Sequence, residues 1–311
     1  MKKNNIRNLI YLLIFGLMPF VFFGCEGCGQ SNENINPESR TTVVPREKIT
    51  IGRIPSGNVL DISERMEPLI ALIQKKLNVE VQVRFAADYK EFSKHMENQE
   101  YDLAFCAPFQ YIQAHEKAGY DAILRPVRYR ADTYVGIIIT AQPNINSLEQ
   151  LKGKRIAFVD PRSTSGYLFP LGLLAGIGIN SKDIQAYFLK GHDNVVLNVL
   201  NRNYDAGACY KGAEITFGKD QVSALKIIGQ TEEIYNEPIA ISSKFRTERS
   251  ELADKFISLM TSLKETPEGL AAISKLGDGL EKYVSAKDSD YNTVRMYSSK
   301  LPPDIIKESG L

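Results

Sequence analysis

The sequence has no large excess of charge of either sign. Its 38 basic and 37 acidic residues give a formal charge of +1. Three of the basic residues, Lys2, Lys3 and Arg7, precede residue 25, and without them 35 basic residues stand against 37 acidic ones, a charge of −2. No basic stretch is interleaved with aromatic residues, so we predict no nucleic-acid partner. Affinity for an anion would have to come from a local site rather than from a global field.

Histidine and cysteine are also scarce, with three and four residues respectively. Cys28 lies near the N-terminus, whereas Cys106 and Cys209 each end an apolar, strand-like run. The latter two can form a disulfide or remain buried thiols, and we favour two free thiols. No cluster of histidine and cysteine suggests a metal, so we predict neither a metal site nor a cofactor.

The sequence lacks an apolar run long enough to span a membrane. The apolar run over 9–23 follows basic residues and is shorter than the roughly 18 residues expected of a spanning helix. It ends in a Phe-Phe-Gly-Cys motif that resembles a lipobox, with Phe22 where leucine is usual and Cys25 as the residue that receives the lipid.

We therefore predict a lipoprotein signal peptide over 1–24 and a flexible polar tether over 25–47. The alternative is an uncleaved anchor helix. Either interpretation places the folded part outside the cytoplasm, at the periplasmic or outer cell surface.

Strand-like and helix-like patterns alternate from about residue 48 to 300, without an internal repeat. Predicted strands cover 48–53, 79–85, 101–106, 134–140, 154–159, 186–188, 205–209, 225–229 and 238–242. Predicted helices include 64–77, 89–96, 109–118, 192–200, 252–261, 267–276 and 291–299, the second of them capped by Asp88. This alternation predicts an α/β fold with open, largely parallel sheets.

Two of these strands, 134–140 and 238–242, are expected to cross between two lobes. The predicted first lobe covers 48–135 plus 240–311, and the second covers 136–239. In such a fold the ligand lies in the crevice at the carboxyl ends of the strands.

The segment most informative about function follows the predicted strand 154–159. Asp160-Pro161 turns the chain, and Ser163, Thr164 and Ser165 come where the next helix begins. The first turn of a helix offers free N–H groups and the positive end of the dipole, and three hydroxyls add uncharged donors. This arrangement favours a site for a tetrahedral oxyanion. The alternative is an ordinary helix N-cap, which also favours serine and threonine.

His192 begins a predicted helix directly after a short strand. Its position faces the same crevice as Ser163, and an imidazole there can donate to an anion. The alternative is a structural histidine, which is the role we assign to His95 and His115 because both lie inside predicted helices.

Three further side chains are candidates for the opposite wall of the crevice. Tyr89 begins a predicted helix of the first lobe, Tyr134 begins the first crossing strand, and Glu237 precedes the second. Each has a simpler alternative, as a core or rim aromatic for the tyrosines and as a solvated acid for Glu237.

At these residues the sequence resembles the phosphate, phosphite and phosphonate-binding family of ABC-transporter periplasmic proteins, which have the type II binding-protein fold. The resemblance spans about residues 48–300, and its most specific part runs from Asp160 to Pro170 (DPRSTSGYLFP). Shorter matches are Ala87-Asp88-Tyr89, Gly191-His192, Glu237-Pro238-Ile239 and, near the end, Asp288-Ser289-Asp290-Tyr291.

The resemblance implies roles for these residues. Ser163, Thr164, Ser165 and His192 would hold the oxygens of a phosphonate or phosphate, Tyr134 would add a hydroxyl, and Tyr89 would close the site from the other lobe. In aminophosphonate binders, acids hold the substrate amine. Glu237 falls where one such acid is expected, although aspartate is more usual, and Glu214 is displaced by about two positions from the other.

We therefore predict a monomeric, non-enzymatic binding protein that captures a phosphorus oxyanion by lobe closure and delivers it to a membrane permease. The loop around Ser163 lacks the G-x-S-x-G elbow of hydrolases. The alternative function is a ligand sensor that signals through a membrane partner, and it would use the same site.

Overall fold

The computed structural model of the protein describes residues 46–54, 56–299, 301 and 305. The predicted signal peptide, Cys25, Cys28 and almost all of the predicted tether lie outside these residues. In the described part of the chain, no helix combines the length and the apolar composition needed to cross a membrane.

The strands of the described residues form two sheets. In chain order they are β1 (Lys48–Arg53), β2 (Glu80–Phe85), β3 (Leu103–Phe105), β4 (Asp121–Arg128), β5 (Thr133–Thr140), β6 (Arg155–Phe158), β7 (Gln185–Phe188), β8 (Ala206–Tyr210), β9 (Lys226–Tyr235), β10 (Ile239–Ile241) and β11 (Leu280–Ser285). The first sheet has the order β11-β4-β10-β3-β1-β2, and the second has the order β7-β6-β8-β5-β9.

Both sheets are mixed rather than largely parallel, which corrects the expectation from the sequence. β1 pairs in parallel with β2 and β3, and β6 pairs in parallel with β7 and β8. The pairs that involve β4, β5 and β10 are antiparallel. The reason lies in the path of the chain between the sheets. The chain leaves the first sheet after β4 and enters the second as β5, and it leaves the second after β9 and enters the first again as β10. Each strand that receives the chain pairs antiparallel with its neighbours.

Helices flank the two sheets. They are α1 (Val59–Leu77), α2 (Tyr89–Glu97), α3 (Pro108–Ala118), α4 (Phe169–Gly176), α5 (His192–Leu200), α6 (Lys219–Val222), α7 (Ser243–Glu248), α8 (Ser250–Ser262), α9 (Pro267–Leu276) and α10 (Asn292–Ser299). A π-helical turn, Thr164–Leu168, directly precedes α4.

Helix α1 begins five residues before the predicted start. Asn58 caps it, since its side chain accepts from the N–H groups of Leu60 and Asp61 at 3.0 and 3.3 Å. The first turn is exposed and carries no apolar repeat, so the periodic pattern is visible only from Met66 onward.

The two connections between the sheets run from Arg128 to Thr133 and from Tyr235 to Ile239. Asn236, which is 2% exposed, joins them. Its backbone N–H donates to the Asp132 carbonyl at 2.8 Å, and its side-chain amide donates to the carbonyls of Pro126 and Ala131 at 2.9 and 3.3 Å. The lobe boundaries drawn from the sequence, near residues 135 and 240, stay a prediction.

Strands β4 and β11 are absent from the sequence-based assignment. β4 contains Pro126, which cannot donate to a ladder and argues against a strand, yet it lies between β10 and β11. β11 is a short edge strand in which two adjacent charged residues, Glu281 and Lys282, interrupt the apolar alternation expected of a strand.

Candidate functional site

Local hydrogen bonds shape the Ser163–Ser165 turn. The Ser163 N–H donates to the Asp160 carbonyl at 2.9 Å, and the Ser163 hydroxyl accepts from the Gly166 N–H at 3.1 Å. A Cβ at Gly166 would lie 2.4 Å from Val159 Cγ2 and 2.7 Å from Ser163 Oγ, so a larger residue has no room there. Ser163, Thr164 and Ser165 are 2%, 0% and 4% exposed. The turn therefore presents three packed hydroxyls at a helix start.

Thr164 connects the two lobes. Its hydroxyl accepts from the N–H of Phe109, in the first turn of α3, at 3.0 Å. A hydroxyl has one donor hydrogen and two acceptor lone pairs, so this bond uses only one of the three positions. A second helix start thus reaches the turn from the first lobe.

Tyr89 and Tyr134 both lie against the turn. Burial raises the pKa of Tyr89, Asp160 adds to the rise, and the adjacent Ser163 hydroxyl opposes it. Burial likewise raises the pKa of Tyr134, with Glu237 adding to the rise and the Ser165 hydroxyl opposing it. Both phenols therefore stay protonated at neutral pH and serve as hydrogen-bond donors.

His192 begins α5, and its backbone N–H donates to the Ser56 carbonyl at 3.4 Å. Its Nδ1 accepts from the Tyr210 N–H at 3.3 Å, which leaves the proton of the neutral ring on Nε2. The side chain is 6% exposed, and burial lowers the pKa of its imidazole to about 3. The imidazole is thus an uncharged donor through Nε2 at neutral pH.

Glu237 forms an ion pair with Arg128, whose Nη2 lies 2.9 Å from its Oε1. Burial alone would raise the pKa of Glu237, but Arg128 and Arg53 outweigh burial and hold it below its ordinary value. Arg128 also lies 3.5 Å from Asp278. Glu237 is therefore an ionised carboxylate that already has a protein partner.

One cavity of about 1160 Å³ brings these side chains together. Its walls include all seven predicted ligand-binding residues, Ser163, Thr164, Ser165, His192, Tyr134, Tyr89 and Glu237. The walls also contain residues absent from the sequence-based set, among them Arg53, Arg128, Tyr210 and Asp278. Arg53 ends β1, so the rule that ligands bind at carboxyl ends of strands could have found it. The specific roles of the seven residues stay a prediction.

The other residues weighed from the sequence have structural partners. Glu214 lines the cavity, but its Oε2 accepts from the Gly212 N–H at 2.8 Å. His95 Nδ1 lies 2.8 Å from Glu100 Oε2, and His115 Nδ1 lies 2.7 Å from the Tyr120 carbonyl.

The two cysteines of the described residues, Cys106 and Cys209, are buried free thiols. In the same part of the chain, no group of three or more His, Cys, Asp or Glu side chains is arranged to hold a metal ion.

A protein-family model described as "ABC transporter, phosphonate, periplasmic substrate-binding protein" matches residues 51–291. The Phosphate-import protein PhnD of Mycolicibacterium smegmatis is 33% identical over 187 residues, which are 56% of this chain and 58% of that protein. The phosphonates-binding periplasmic protein of Escherichia coli is 26% identical over 243 residues, 74% of this chain and 70% of that protein.

Solved structures share the fold. A binding-protein component of a phosphonate ABC transporter from Pseudomonas aeruginosa has a TM-score of 0.73 at 20% identity, and the match covers 81% of this chain and 85% of that one. PhnD1 of Prochlorococcus marinus, solved with methylphosphonate, has a TM-score of 0.73 at 20% identity over 82% of this chain and 98% of that one. These matches confirm the predicted two-lobed periplasmic binding-protein fold.

Proposed function

Because the chain belongs to the family of periplasmic substrate-binding proteins of phosphonate ABC transporters, we propose that it captures a phosphorus oxyanion, namely a phosphonate, phosphite or phosphate, and delivers it to a permease. The role of this family is binding rather than catalysis. The relatives carry names that refer to phosphate import and to phosphonates, which supports this ligand class.

The observation that carries the proposal is a set of uncharged donors in one cavity. Three hydroxyls of one turn, two protonated phenols and the Nε2–H of a neutral imidazole line it. Helices α2, α3 and α5 all begin there, and their N-terminal ends favour negative charge. Several neutral donors around one point suit a tetrahedral group with three or four acceptor oxygens.

Capture would involve closure of the two lobes over the ligand. Phe109 and Ser56 of the first lobe bond to Thr164 and His192 of the second, and Tyr89 lies against Ser163. Ligand oxygens between these groups would add contacts that only the closed form makes, so binding would favour closure. A permease could then distinguish the loaded protein from the empty one.

The remaining elements of the proposal concern the membrane. Cys25 would carry a lipid and the segment up to residue 47 would tether the protein to the membrane. The alternative, a sensor that signals through a membrane partner, would use the same cavity.

The test is isothermal titration calorimetry of the protein with phosphate, phosphite, methylphosphonate and 2-aminoethylphosphonate. We expect at least one to bind, and Thr164→Ala with Ser165→Ala to abolish that binding. Ser258→Ala, on the exposed side of α8, is the control and should leave the affinity unchanged. Unchanged affinity of the double variant for every phosphorus oxyanion would contradict the site assignment, and the absence of any binding to the wild type would contradict the function.

A further inference from the structure

Arg53 is a cation in the cavity, and no carboxylate of the described residues lies within ion-pair distance of it. It ends β1, and its side chain lines the same cavity as Ser163 and His192. Within the described part of the chain, its guanidinium forms neither an ion pair nor a hydrogen bond. Burial lowers the pKa of Arg53, and the nearby Glu237 opposes that decrease. Arg53 is partly buried, and a guanidinium that loses part of its hydration without gaining a close anion is costly.

The acids at this end of the cavity are already engaged. Arg128 lies 2.9 Å from Glu237 and 3.5 Å from Asp278, so one guanidinium contacts both carboxylates. Burial raises the pKa of Asp278, and Arg128 opposes the increase. Two arginines and two acids are therefore close together, but both acids share Arg128 and Arg53 is left without a partner.

This arrangement discriminates between groups that a ligand could place here. A guanidinium has five N–H donors and no acceptor, and an ammonium group likewise has only donors. An ammonium would add a third cation to the cluster and would offer nothing to Arg53. A carboxylate accepts two parallel hydrogen bonds from a guanidinium, which is the arrangement that arginine favours.

The cavity has room for such a group in addition to the oxyanion. Its volume of about 1160 Å³ exceeds the roughly 300–1,000 Å³ that is typical of small-molecule pockets. Arg53 is close enough to Tyr89 to oppose the rise in its pKa, and Glu237 is close enough to Tyr134 to add to the rise in its pKa, so the charged cluster adjoins the two phenols. The cavity thus has neutral donors around Ser163 and, next to the two phenols, a guanidinium without a close anionic partner.

We propose that Arg53 binds a second, anionic group of the ligand, and that the substrate class is a phosphonate or phosphate that carries a carboxylate rather than an amine. This inference rests on the proposed function, since it assumes that the phosphorus group occupies the end around Ser163. The ion pair between Arg128 and Glu237 then fixes the position of the cluster. It also leaves Glu237 unavailable to the amine of a ligand.

The test compares three probes that differ only at the end remote from phosphorus: 3-phosphonopropionate, 2-aminoethylphosphonate and ethylphosphonate. Calorimetry on the wild type should show 3-phosphonopropionate binding roughly 10- to 100-fold more tightly than the other two, the range of one charge-assisted, bidentate contact. Arg53→Gln should remove this preference and change the affinity for ethylphosphonate by less than about threefold. Arg53→Lys should retain part of it, because the charge remains without the planar fork.

Arg130→Gln is the matched control. Arg130 is exposed and outside the cavity, so this variant makes the same change of net charge without touching the site. It should bind all three probes as the wild type does.

Three results would overturn the inference. One is wild-type affinity for 2-aminoethylphosphonate that equals or exceeds that for 3-phosphonopropionate. Another is that Arg53→Gln still binds 3-phosphonopropionate more tightly than the other two probes. The third is an equal loss of all three probes in Arg53→Gln, which would place Arg53 on the phosphorus group itself. If no phosphorus compound binds the wild type, the proposed function fails as well, and this outcome is distinct from the other three.

Discussion

Replacing His192 with asparagine should remove one of the two hydrogen bonds of its imidazole and keep the other. Nδ1 accepts from the Tyr210 N–H at 3.3 Å, and the proton on Nε2 is the donor that we assign to the ligand. The asparagine side-chain oxygen occupies nearly the position of Nδ1, so Tyr210 keeps an acceptor while the ligand loses a donor. His192→Gln is the matched variant, because its longer amide can donate from near the position of Nε2.

The size of the effect follows from the charge of the partner. A hydrogen bond to a charged group contributes about 1.5–3 kcal/mol, and about 1.4 kcal/mol corresponds to a tenfold change in Kd. His192→Asn should therefore weaken phosphonate binding by about 10- to 150-fold. His192→Gln should weaken phosphonate binding much less, because its amide can still donate to the ligand.

The assay is calorimetry of both variants with methylphosphonate, or with whichever phosphorus oxyanion binds the wild type. Urea unfolding of each variant serves as the control for folding. An affinity of His192→Asn within about twofold of the wild type, in a folded variant, would refute the donor role. The same refutation follows if asparagine and glutamine weaken binding equally.

Three further predictions concern stability and reactivity. Because burial lowers the pKa of His192 to about 3, against about 6.5 in the unfolded chain, acid protonates the unfolded chain first; the free energy of unfolding, measured with urea, should fall by about 2 kcal/mol between about pH 7 and pH 5. His192→Asn should lose this dependence, and an unchanged slope would contradict the cause. Gly166→Ala should destabilise the protein by about 1–3 kcal/mol, since its Cβ would lie 2.4 Å from Val159 Cγ2, whereas a Cβ at Gly176 meets no atom within 4 Å and Gly176→Ala should cost nothing. Burial raises the pKa of the Cys106 and Cys209 thiols, so mass spectrometry should find them alkylated only after denaturation; equal labelling of the native protein would contradict their burial.

The turn and helix starts could be predicted because their signals are local. Ser163 to Gly166 follow a strand and a proline turn, and Asp88 and His192 each stand at the start of a periodic apolar segment. The capping role of Asp88 is confirmed, since its Oδ1 accepts from the Glu91 N–H at 2.8 Å. Hydroxyl-rich turns of this kind depend on residues close in sequence, so a single segment is enough to recognise them.

The charged end of the cavity could not be predicted in the same way. Arg53, Arg128, Glu237 and Asp278 come from four distant segments, and only the fold of the first lobe brings them together. Sequence reasoning considered Glu237 alone, as a solvated acid or as a partner for a ligand amine. Its pairing with Arg128 spans 109 positions along the chain, and no local pattern indicates such a pair.

The hydrogen bonds of Asn236 have a consequence for how the protein moves. Its amide and backbone bond to Pro126 in β4 and to Ala131 and Asp132 of the other connection, and its own carbonyl accepts from the Tyr291 hydroxyl at 3.0 Å. These hydrogen bonds tie the two connections to each other, so a rotation of one lobe against the other would have to move both connections together. Coupled connections restrict the relative orientations of the two lobes, which would lower the entropy lost in the proposed closure over a ligand.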